Sequence, residues 1–144
     1  MAWFETLGRI PKIIESNVNA VLDKCQDPTK MSKQMLADYK SDLAKVKEAT
    51  TEMMADLDIA KKNYLDAQAR VQKLSMNAMN AVKANDRAAA ELIVAEKQKA
   101  EVAMQDYKKI YDNMLQQANQ MKAGYNKLVQ EIQVLEAAAN RTAA

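Results

Sequence analysis

The chain has 144 residues, 49% hydrophobic but only 5% aromatic, with two glycines, two prolines, one cysteine, no histidine and a net charge of +2. So little turn-forming material allows only a few long elements, and the abundance of Ala, Leu, Met, Lys, Glu and Gln makes them helices, so the chain reads as all-α. Without histidine the commonest general base and transition-metal ligand are both missing, and the charges fall in dispersed doublets such as Lys61-Lys62; no catalytic residue, metal, cofactor or nucleic-acid partner is expected.

The first segment, MAWFETLGRIPKII, holds the only Trp and the only Phe, at positions 3 and 4. On a helical wheel Trp3, Phe4, Leu7, Ile10, Ile14, Val18, Val21 and Leu22 share an arc of about 120°, opposite Glu5, Arg9, Lys12, Ser16, Asn19 and Asp23, with Ile13 the one bulky exception. Residues 1–26 therefore read as an amphipathic helix suited to a membrane interface. The same stripe would also suit a docking site on the rest of the chain or on another subunit. Lipid is favoured because the bulkiest side chains sit at the extreme end, where docking needs a groove that two helices do not readily supply. Pro11 lies on the apolar side and is expected to kink the segment. No run approaches the roughly 20 apolar residues of a membrane span, and the charges among the first residues interrupt the apolar centre of a secretory signal, so a cytoplasmic or inner-face location is expected. Cys25 reads as a small, half-buried apolar residue in a reducing compartment.

At CQDPTK, Asp27 is placed to cap a helix whose first residue is Pro28, where the missing N–H costs nothing. From there steps of three and four land on Leu36, Tyr39, Leu43, Val46, Thr50, Met53, Leu57, Ala60, Tyr64, Ala67, Val71, Leu74, Ala78 and Ala81, with Thr50 the sole polar member, where chance predicts about seven apolar residues. This arm runs to about residue 83, roughly 80 Å. Asn85 tolerates a left-handed conformation and Asn85 or Asp86 can cap the next helix, which places a turn near 84–87 and forces the following helix antiparallel. The second arm has its own seam at Tyr111, Met114, Ala118, Met121, Tyr125, Leu128, Ile132 and Leu135. Folded at 85/86, residues whose numbers sum to 171 face each other, pairing Leu36 with Leu135, Met53 with Ala118 and Ala60 with Tyr111. Residues 27–144 are thus expected to form an antiparallel coiled-coil hairpin. Ile59, Met76, Met79 and Val134 lie off its seam, which points to partners, most simply copies of the same chain.

The run NVNAVLDKCQDPTK, followed by a long charged helix and then AELIVAEKQKAE, resembles the phage shock protein A family, which includes the vesicle-inducing proteins of plastids and is related to ESCRT-type membrane remodellers. The likeness covers essentially the whole chain, and its most specific part is the Asn-x-Asn-Ala-x-Leu-Asp-Lys run ahead of Asp-Pro. It implies a peripheral protein of the inner membrane face that binds anionic lipid through its first helix and assembles into rings or rods that protect or remodel the bilayer in an envelope stress response. It also implies an alternative, a soluble coiled-coil adaptor that restrains an AAA+ transcription activator through the hairpin. Lys47 stands where the family pattern places an arginine that pairs with neighbouring subunits; lysine keeps the charge without the two-pronged geometry. The resemblance also implies further helices, used in polymerisation, beyond the hairpin arms.

Overall fold

A computed structural model describes residues 3–141. Four helices follow in order, α1 (Trp3–Glu15), α2 (Val18–Asp23), α3 (Pro28–Lys83) and α4 (Arg87–Asn140). The chain forms two compact units: unit 1 takes the residues up to Met54 and again those from Gln117, and unit 2 is Ala55–Gln116.

Each helix start has a local cause. Asp27 accepts from the Lys30 N–H at 3.1 Å, and Pro28 opens α3. Asn85 adopts φ 57°, in the left-handed region where Asn is among the few residues tolerated. Around it the Asp86 N–H donates to Ala81 O and the Asn85 N–H to Val82 O, both at 3.0 Å, so two of the last carbonyls of α3 are satisfied. Asp86 then caps α4 by accepting from the Ala89 N–H at 3.1 Å. Of the two candidates at this turn, Asn85 ends one helix and Asp86 begins the next.

None of the fourteen seam positions of α3 and none of the eight of α4 is exposed. In unit 2 the seam residues Leu57, Ala60 and Leu74 are buried, together with Ala90 and Ala100 from a part of α4 ahead of its seam. Tyr64 and Tyr111 stack with ring centroids 6.1 Å apart. That contact lies one turn beyond the expected meeting of Ala60 with Tyr111. Helical side chains lean toward their own N-terminus, so in an antiparallel pair two long rings lean toward each other and meet between layers.

Unit 1 is deeper because α1 and α2 add a third layer. Met53, Met121 and Leu135 are completely covered, with Val46 and Leu128 1% exposed. Val18, Leu22, Leu135 and Ala138 form a buried cluster, against which Met31, Met35, Leu36, Tyr39 and Val134 pack. Val134, expected to be surplus to the seam, is thus part of the core, because α2 covers a face of α4 that a bare hairpin would leave open. Lys40 and Glu136 pair at 3.9 Å across the arms, both half-exposed and so of little energetic weight.

Candidate functional site

The leading segment is two helices. α1 continues through Pro11, and the break falls at Ser16-Asn17, where the Ser16 hydroxyl donates to Ile13 O at 2.7 Å and Asn17 caps α2 by accepting from the Ala20 N–H at 3.1 Å. The segment is thus divided at Ser16-Asn17 and not, as expected, at Pro11. One helical hydrogen bond is lost at proline, but a pair of polar residues able to end one helix and cap the next decides where the chain turns.

The apolar arc divides. Trp3, Ile10, Val18 and Leu22 are buried, Leu7 is half-buried, and Phe4 (46% exposed), Ile14 (45%) and Val21 (43%) face outward. Ile13, the exception on the wheel, is buried as well. At 100° per residue the covered edge of α1, Trp3, Ile10 and Ile13, is rotated about 70° from the centre of the arc read from sequence. The segment therefore presents one apolar edge to the arms and a second to the outside. The Trp3 and Phe4 rings touch across the divide, centroids 4.3 Å apart and tilted by 31°.

A groove for the covered edge exists after all, and its cause is Gly124. A Cβ built there would lie 2.3 Å from Ile10 Cδ1, 3.1 Å from Cγ2 and 3.3 Å from Cγ1, so the Ile10 side chain occupies the space that any other residue at 124 would fill. Glu131 is the second element. Its carboxylate, on a residue only 8% exposed, accepts from the Val18 N–H at 2.8 Å and pairs with Lys127 Nζ at 3.2 Å. An α4 side chain thus satisfies a free amide at the start of α2. Arg9 donates to the Asp42 carboxylate of α3 at 2.8 Å, which ties the segment to the other arm.

Gly124 and Glu131 did not figure among the expected site residues. For Gly124 a signal was present: it is one of only two glycines, set inside a long glycine-free helical pattern, and an isolated helical glycine usually has a packing reason. For Glu131 there was none, since its partner is 113 positions away. Lys47 is exposed on α3, and Cys25 is half-buried, its Sγ 3.1 Å from Val21 O. In unit 2, Ile59, Met76 and Met79 are exposed as expected, and Leu65, Val82, Leu92, Val94, Val102 and Ile110 join them. No helix among the described residues is long and apolar enough to cross a membrane.

The family model for PspA/IM30 matches residues 5–144. The chain is 36% identical over 134 residues to the phage shock protein A homolog of Bacillus subtilis strain 168, an alignment covering 93% of this chain and 59% of that protein. It is 31% identical over 78 residues to the membrane-associated protein Vipp1 of Nostoc punctiforme, covering 54% of this chain and 30% of that one. The chain thus spans less than two thirds of the length of either relative.

Proposed function

Because this chain belongs to the PspA/IM30 family, we propose that it is a peripheral membrane-binding, self-assembling structural protein that protects or remodels the bilayer under envelope stress. It acts from the cytoplasmic face, binding anionic lipid through the arc of Trp3, Phe4, Leu7, Ile10, Ile14, Val18, Val21 and Leu22. The observation that carries this reading is the outward edge of that arc. Phe4, Ile14 and Val21 are each exposed on a segment whose polar face is charged, and such side chains have more to gain at the boundary of headgroups and acyl chains than in water. The Nostoc relative is itself named as membrane-associated. Self-assembly into rings or rods is supported by the exposed apolar residues of unit 2, Leu92 at 72% and Met76 at 66% among them, and Lys47 is available for ion pairs between subunits.

A second reading, a soluble adaptor binding an AAA+ activator through the hairpin, is favoured by the burial of Trp3, which is 1% exposed. Sedimentation with anionic vesicles separates the two. Membrane binding requires that replacing Trp3 and Phe4 together by Ser abolishes co-sedimentation while the helical circular dichroism persists. Vesicle binding that survives the double substitution refutes the assignment. Since Trp3 is already covered, its emission without lipid is blue on either reading, and only its response to vesicles is informative.

A further inference from the structure

While the leading segment is docked, half of its apolar arc is out of reach of lipid. Resting on the membrane-binding reading above, we infer that the face of unit 1 around Gly124 and Glu131 is an intramolecular receptor for residues 3–22, and that this receptor and lipid compete for the same side chains.

The receptor is built for this occupant. Gly124 does not have a positive φ, so no backbone conformation requires glycine there, and glycine is the poorest helix former after proline. What the position provides is a hole, filled by Ile10. Glu131 is a carboxylate held in a buried position, which is unfavourable unless its oxygens find donors. One of those donors, the Val18 N–H, belongs to the docked segment. Asp42 contributes a third tether from the opposite arm through Arg9. Knob, cap and ion pair converge from α3 and α4 on one stretch of chain.

The conflict with lipid follows from which side chains are used. Trp3, Ile10, Val18 and Leu22 are the docked residues, and they are half of the arc proposed to enter the bilayer. Phe4, Ile14 and Val21 remain outside and offer a first grip on a membrane surface. Full insertion then requires the segment to leave Gly124. Docking and insertion are alternatives, so apparent lipid affinity is scaled down by the fraction of molecules already undocked. The device keeps the segment quiet until a surface with enough anionic charge or packing defects outcompetes the groove.

The test locks or opens the receptor in one and the same protein, so that its oxidised and reduced forms carry identical substitutions and each controls for the other. Cγ1 and Cγ2 of Ile10 both lie within 3.3 Å of the Cβ position at 124, which brings the two Cβ atoms within disulfide reach. Ile10→Cys with Gly124→Cys, in a Cys25→Ser background, locks the segment down when oxidised. Vesicles of phosphatidylglycerol and phosphatidylcholine are the probe. The reduced protein binds, whereas the oxidised one, held docked, does not insert and keeps only the grip of Phe4, Ile14 and Val21. Gly124→Leu, which expels Ile10, shifts Trp3 emission to the red without lipid and, with a docked state favoured about ten to one in the wild-type chain, tightens vesicle binding about tenfold. Equal binding by oxidised and reduced protein, with the bond verified by mass spectrometry, overturns the receptor, and so does a disulfide that forms only between two chains. Adding Trp3→Ser and Phe4→Ser to the Gly124→Leu chain separates this failure from failure of the functional reading. If the Ser pair removes binding while locked and unlocked proteins bind alike, only the receptor is lost; if binding survives the Ser pair, the lipid assignment itself falls.

Discussion

Gly124→Ala has opposite expected effects in two backgrounds, and the difference measures the contact with Ile10. In the interior of an exposed helix the change gains about 1 kcal/mol, because glycine carries a larger entropy loss on folding. At this site the new methyl would lie 2.3 Å from Ile10 Cδ1, which is sterically excluded, so Ile10 must move or α1 must lift. Overpacking of this kind costs about 1 to 3 kcal/mol. The two terms give a net effect between nothing and about 2 kcal/mol of destabilisation in the wild-type chain. In an Ile10→Ala background the hole is empty and only the helical gain remains, so the same substitution stabilises by about 1 kcal/mol. Ile10→Ala alone costs about 2 to 5 kcal/mol, since the side chain is 2% exposed. The coupling between positions 10 and 124 is then about 1 to 3 kcal/mol, measured by urea denaturation of the four proteins followed by far-ultraviolet circular dichroism and Trp3 fluorescence. Equal stabilisation by Gly124→Ala in both backgrounds would refute the knob-and-hole account and with it the docked position of α1.

Other expectations test the remaining joints. Glu131→Ala leaves the buried Val18 N–H without its acceptor, a loss of about 1 to 3 kcal/mol, and amide exchange at Val18 should accelerate while exchange at Leu57 and Leu74 in unit 2 stays slow; uniform acceleration would argue against a local role. Asn85→Val forces a β-branched residue into the left-handed region, so thermal unfolding should report a loss of about 1 to 2 kcal/mol, whereas Asn85→Gly should be tolerated. Arg9→Ala should cost under about 1 kcal/mol, because Arg9 is half-exposed, and the loss should shrink in high salt; a salt-independent loss would mean that the stem of Arg9, not its charge, carries the contact.

How much of the molecule is legible in one chain depends on how far apart the cooperating residues are. The seams, the start of α3 at Asp27-Pro28 and the turn at Asn85-Asp86 rest on interactions within a few positions or on a strict repeat, so periodicity and capping chemistry are sufficient to place them. The covered edge of the first helix is different. Which of Ile13 and Ile14 is buried depends on where α1 meets the arms, and a wheel drawn for an isolated helix has no information about that direction. The hole at Gly124 and the carboxylate of Glu131 acquire meaning only when residues more than a hundred positions away arrive beside them.

Local repetition and end-capping thus determined from sequence that the chain forms long paired helices with a turn at residue 85. Tertiary packing alone decided that the amphipathic leader has a seat on those helices. A repeat that neighbours read off one another needs no folded context, while a seat made by a missing side chain exists only once both surfaces are in place.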